Sequence, residues 1–184
     1  MVQSVIDRRV ARLEPTADVG DSERMIDEPL AFFITWTVYG THLQGDNRGW
    51  RRRSKGEQLP EPRLLSWRQE RLKHEILLLD PSQQQTVMRE CRKQCDHRAW
   101  RLWAIAARSN HVHAVVAATN YNGSTVRDQL KANATRGLRE QWSAFANRPV
   151  WTKGGDWQCI NTIDGLDSVI EYVTVAQDRM DRPK

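Results

Sequence analysis

The sequence predicts an α+β fold of the ferredoxin-like (RRM-like) kind: a split βαββαβ antiparallel sheet with one added helix at its C-terminal end. Three observations lead there. Arg101 to Ala107 and His111 to Ala118 are apolar, strand-like runs separated only by Arg108-Ser109-Asn110, a turn short enough to require an antiparallel hairpin. Ala31 to Val38, AFFITWTV, is aromatic and β-branched throughout and reads as a strand buried on both faces. Apolar residues recur at helical spacing on either side of the hairpin, so the order is strand, long loop, helix, strand, strand, helix, strand, helix.

Residues 1–28 mix charges with scattered apolar residues and no sustained period, which predicts a poorly ordered tail or a loosely docked helix ahead of one domain at 29–184. In the first strand, Phe33, Thr35 and Thr37 share one face, and Phe32, Ile34, Trp36 and Val38 share the other. From about 40 to 62 the chain is rich in Gly, Arg, Asn, Asp and Pro, which specifies a long loop. Residues 63–78 read as a charged helix with Leu65, Leu72, Ile76 and Leu79 available for one side. Asp80 as cap and Pro81 in the first turn open a helix to about His97, whose stripe is Val87, Met88, Cys91 and Cys95.

After the hairpin, Ser124 opens a helix to about Phe145, with Val126, Leu130, Ala134, Leu138 and Trp142 recurring every four residues. Lys153-Gly154-Gly155 makes a turn before a short strand from Trp157 to Ile160. The last helix runs from about Gly165 to Asp178, with Leu166, Val169, Ile170, Val173 and Ala176 facing inward.

Twenty-eight basic residues against 23 acidic ones give a net charge of +5, and the basic residues cluster. Arg48, Arg51, Arg52, Arg53 and Lys55 surround Trp50, while Lys131, Arg136 and Arg139 share one helix. Clustered cations suit a polyanion, and tryptophans beside them suit unpaired bases, although most of the eight tryptophans belong to the core by ordinary expectation. No apolar run approaches the ~20 residues of a membrane helix, and no apolar segment follows the first charges as in a secretory signal. Three cysteines without C-x-x-C spacing read as reduced thiols, so the expected location is cytoplasmic.

The chemistry concentrates in Ser109 to Ala118, SNHVHAVVAA. On a strand, His111 and His113 project side by side while Val112 points away. Two imidazoles so placed can share a divalent metal, although H-x-H alone more often marks an ordinary half-buried strand. Tyr172, in VIEYVTVAQ, is packing or nucleophile on the last helix. A phenol with a pKa near 10 attacks phosphorus poorly without help, and a metal on the two histidines would supply the electrophilic half.

Five ordered stretches, ITWTVYGTHLQGDNRGW (34–50), SNHVHAVV (109–116), LKANATRGLRE (130–140), VWTKGG (150–155) and IEYVTVAQ (170–177), resemble the single-tyrosine HUH transposases. The similarity is closest to the IS200-like branch that includes REP-associated tyrosine transposases, and it covers about residues 30–178. It implies a metal-dependent single-stranded DNA nuclease and strand transferase, nucleoid-associated when bound to DNA. His111 and His113 would be ligands of Mg²⁺ or Mn²⁺, and Tyr172 would form a 5′-phosphotyrosyl intermediate. Gln177 matches the polar residue that completes the family's metal site.

Five regular helical steps separate Tyr172 from Gln177 by roughly 140°. A distorted helix, a ligand from its frayed end, or another ligand, Asp178 or Glu171, would reconcile the two. Arg48, Trp50, Arg51, Arg52, Arg53, Lys131, Arg136, Arg139 and Lys153 would hold DNA, and family members usually bind a hairpin beside the cleavage site. Both a homodimer and a monomer are compatible with the sequence. The competing expectations are a non-cutting DNA or RNA hairpin binder and a water-using metal nuclease; a histidine-triad hydrolase fails because residue 115 is Val.

Overall fold

The computed structural model describes residues 28–47, 49–52 and 56–176, so the N-terminal tail expected at 1–28 lies almost wholly outside the described residues. Its centre is a four-stranded sheet of β1 (Ala31–Thr37), β4 (Arg101–Ala107), β5 (His111–Ala117) and β6 (Asp156–Ile160). The strand order is β4-β5-β1-β6 and every pairing is antiparallel, which is the ferredoxin-like order.

Two helices cover one face. Helix α2 (Pro81–His97) starts from a capping box in which Asp80 accepts from the Gln83 backbone N–H while the Gln83 side chain accepts from that of Asp80. Helix α3 (Gly123–Gln141) is capped by Asn122 rather than Ser124, because the Asn122 carboxamide accepts from the Thr125 N–H. Val87, Cys91 and Cys95 of α2 and Val126, Leu130, Ala134 and Leu138 of α3 meet Phe32, Ile34 and Trp36 of β1 and Val112, Ala114 and Val116 of β5. Full burial of each such leucine or valine contributes about 1.5–3 kcal/mol. Helix α3 stops at Gln141, and Ser143–Phe145 forms a separate 3₁₀ turn, so the helix is shorter than its four-residue repeat suggested.

The opposite face carries Ala31, Phe33, Ala104, Ala106, Val115 and Ile160, and helix α4 (Ile163–Glu171) packs Leu166 against them. The chain then passes into a single π-helical turn, Tyr172–Ala176, which adds Val173 to the same cluster. The last helix is therefore the expected element, α-helical to Glu171 and π-helical beyond it.

Two further departures lie in the long loop. It contains a small hairpin of β2 (Trp50–Arg52) and β3 (Gly56–Gln58). The predicted helix at 63–78 is only α1 (Pro62–Gln69), and the chain beyond it is irregular up to Asp80. None of the residues of α1 is buried, and a helix below ~12 residues without a packed face has little to sustain it. Leu72 and Ile76 instead lie against Gly40, whose positive φ of 78° would strain any other residue and whose added Cβ would press on Ile76. Leu79 is buried with its N–H on the Ser109 carbonyl at 2.8 Å.

Since Leu130 is fully buried between α3 and the sheet, Leu130→Ala should lower the unfolding free energy by about 2–5 kcal/mol. A denaturant titration would read this as a lower midpoint at unchanged slope.

Candidate active site

The pairing of β1 with β5 sets the site. Thr35 lies opposite His113 and Thr37 opposite His111, so the two histidines share the α4 face with Phe33 while Val112 enters the other core. The His111 and His113 ring centroids are 4.7 Å apart. His113 is only 7% exposed. Its Nδ1 is 2.8 Å from Thr35 Oγ1, and its ring is stacked on Phe33 at 5.2 Å with the planes 21° apart. Nδ1 of the half-buried His111 donates to Asn110 Oδ1 at 2.6 Å. A ring that donates from Nδ1 carries its lone pair on Nε2.

Burial, reinforced by the neighbouring His111 and Arg108, pushes the His113 pKa down to about 3. Its imidazole is therefore neutral at physiological pH, the form that binds metals. Tyr172 arrives from the far end of the chain. Its ring stands edge-on to His113 at 5.8 Å and to Phe33 at 6.1 Å, so the three candidate catalytic side chains and one phenylalanine form a single cluster.

Tyr172 begins the π turn, in which hydrogen bonds close on the fifth residue rather than the fourth. A distorted helix is one of the arrangements by which the spacing from Tyr172 to Gln177 could be reconciled. Gln177 and the alternative Asp178 lie outside the described residues, and Glu171 is exposed on α4. Among the described residues, no group of three His, Cys, Asp or Glu could hold a metal. The two imidazoles would be the nitrogen donors to a divalent ion, each ring being hydrogen-bonded through its Nδ1.

The candidate DNA contacts divide. Arg48 and Arg53 lie outside the described residues, and Arg51 and Arg52 belong to β2. Trp50 is buried at 9% exposure, which corrects the expectation of an open stacking ring. Lys131 Nζ donates to the carbonyls of Thr152, at 2.8 Å, and Gly154. Burial and Arg127 push its pKa down to about 8. Arg139 donates to the Arg148 carbonyl at 2.9 Å. Both hold local chain turns in addition to carrying charge.

Arg136 and Lys153 are exposed. Lys131, Arg139 and Lys153 line one open groove of about 560 Å³ with Arg127, Thr135 and Trp151. Sequence reasoning missed Arg127, whose guanidinium donates to the Gly155 carbonyl at 3.0 Å, and it missed the partners Thr35, Asn110 and Phe33. Thr35 and Phe33 were assigned a common face, but only the strand register places that face beside His113.

No protein-family model matches the chain, and no curated protein does. Solved structures do. The REP-associated tyrosine transposase bound to a REP hairpin superposes with a TM-score of 0.50 at 10% identity, over 89% of this chain and 75% of that one. A candidate transposase from Deinococcus radiodurans R1 gives a TM-score of 0.43 at 9% identity, over 84% of this chain and 95% of that one. The chain thus shares its fold with the REP-associated tyrosine transposase structure. Among solved structures the chain is similar to the REP-associated tyrosine transposase, the branch that its motifs resemble.

His113 has a folded pKa of about 3 against about 6.5 for a free imidazole. Between those values the unfolded chain binds the extra proton, so this residue should erode stability as pH falls from about 6.5 towards 3, by a few kcal/mol in all. Acid unfolding of His113→Gln should be correspondingly flatter over that window, followed by denaturant midpoints at several pH values.

Proposed function

We propose that the protein is a metal-dependent single-stranded DNA endonuclease and strand transferase that acts beside a DNA hairpin. The carrying observation is the gathering of His111, His113 and Tyr172, from elements far apart in sequence, on one face of the sheet. His111 and His113 would hold Mg²⁺ or Mn²⁺, with Gln177 as the third protein ligand. Manganese suits this set well, since imidazole and amide donors are softer than the all-oxygen shell of magnesium. The bound ion would polarise the scissile phosphodiester and neutralise charge developing on it.

The Tyr172 hydroxyl oxygen attacks phosphorus while the bond from phosphorus to the 3′-oxygen breaks. The phenolic proton leaves and the departing 3′-oxygen takes one up, so the products are a 5′-phosphotyrosyl protein and a free 3′-hydroxyl. Attack by another 3′-hydroxyl reverses the step and rejoins strands without an external energy source. The 5.8 Å between the Tyr172 and His113 rings of one chain supports delivery of the tyrosine in cis, which a monomer could use. Cations along the α3 groove would track the phosphates. The likeness in fold to a transposase solved on a REP hairpin supports the hairpin part of this reading. Among the described residues no helix is long and apolar enough to cross a membrane.

Incubation with Mn²⁺ and a labelled pool of single-stranded hairpin oligonucleotides should give a labelled protein band on denaturing gels. The band should need the metal and disappear in Tyr172→Phe. Cleavage that survives this substitution would assign the reaction to water instead, and hairpin binding with neither cleavage nor adduct would identify a non-cutting binder.

Exposed Lys153 at the groove should act through charge alone. Lys153→Ala should weaken oligonucleotide binding at low salt and reduce the slope of log affinity against log salt by about one phosphate contact's worth, roughly 0.7 for a single strand. Fluorescence anisotropy at several salt concentrations would measure it.

A further inference from the structure

We propose that Thr35 is a positioning residue whose hydroxyl accepts the Nδ1–H of His113 and so holds that imidazole in the tautomer with its lone pair on Nε2. The inference deepens the reading of His113 as a metal ligand and rests on it, because a threonine hydroxyl can donate to Nδ1 or accept from it and a metal on Nε2 is what requires it to accept. Thr35 and His113 are direct partners across the β1–β5 ladder, and Oγ1 lies 2.8 Å from Nδ1. His113 is almost withdrawn from solvent, so protein groups decide which nitrogen carries the proton. Phe33 stacks on the ring and Tyr172 meets it edge-on, which holds the ring plane.

His111 supplies an internal parallel. Its Nδ1 is bonded to Asn110 Oδ1, an oxygen that can only accept, so this ring is held as the Nδ1–H tautomer. Two neighbouring imidazoles on one face are thus each anchored through Nδ1, from two different elements. A ligand that binds through Nε2 needs its Nδ1 proton accepted elsewhere, and such outer partners typically change metal affinity by 10–100-fold.

Thr35→Val keeps the branched shape and strand preference while replacing the hydroxyl by a methyl group. The ring then does better with its lone pair towards that methyl and its proton on Nε2, because a buried N–H without an acceptor is costly. The geometry thereby assigns to a strand without any candidate catalytic residue the task of preparing one on its neighbour.

The test uses the full chain free of metal, with imidazole nitrogens read by long-range ¹H–¹⁵N NMR at neutral pH. The wild type should show His113 protonated at Nδ1, Thr35→Ser should match it, and Thr35→Val should shift the population towards protonated Nε2. Mn²⁺ binding, followed by the loss of the free-ion EPR signal, should weaken by about tenfold in Thr35→Val and recover in Thr35→Ser. A Thr35→Val spectrum identical to wild type, or a wild type already protonated at Nε2, would overturn the inference. So would weakened Mn²⁺ binding that Thr35→Ser fails to restore, since that marks a packing effect. A wild type that binds no Mn²⁺ defeats the metal reading alone, because the metal-free spectra still decide the tautomer.

Discussion

The site depends on one pairing, β1 against β5 in the register that sets Thr35 opposite His113. Side chains alternate along a strand, so a slip of one residue would send both histidines into the α2 and α3 core and bring Val112 to the other face. The apolar sets on each strand forbid that slip. Phe32, Ile34 and Trp36 on β1 and Val112, Ala114 and Val116 on β5 are all buried on the helix side, and exposing them would cost far more than any contact within the site repays. The hydrophobic core therefore aims the histidines although it touches them only on the far side of the sheet.

The two faces of the sheet have separate tasks. The face beneath α2 and α3 is closed by long helices with continuous apolar ridges. The other is covered by the shorter α4, whose π-helical continuation carries Tyr172. A π turn is a poorer helix than the α-helix it extends and recurs at functional sites, and here it begins at the residue with the candidate chemistry. Rigid sheet and irregular helix end divide the cluster, with the imidazoles anchored on strands and the phenol on the more adaptable element.

Charge has a double use. Lys131 and Arg127 of α3 donate to carbonyls of the 152–155 segment, and that segment runs beside the C-terminal half of β1, with the Thr152 N–H on the Thr37 carbonyl. Two cations that line the groove thus also hold the turn bordering the strand that supports His113. A cluster of Lys and Arg in a sequence cannot separate these roles, because a backbone carbonyl and a phosphate oxygen both accept from the same nitrogen.

The sequence by itself determined the four strands of the main sheet, the two core helices with their apolar stripes and the Asp80 cap of the first, and the pairing of His111 with His113 on one face. Each follows from local periodicity or from a turn too short for any alternative, as Arg108-Ser109-Asn110 is between β4 and β5. It overextended the helix after Pro62, because charged residues with helical propensity form a helix only as far as packing supports them. Tertiary structure alone decided the strand register, the burial of Trp50, the contacts of Phe33 and Thr35 with His113, and the π turn at Tyr172. These features join residues as distant as Thr35 and Tyr172, and no local pattern encodes a contact whose geometry depends on how the whole sheet closes.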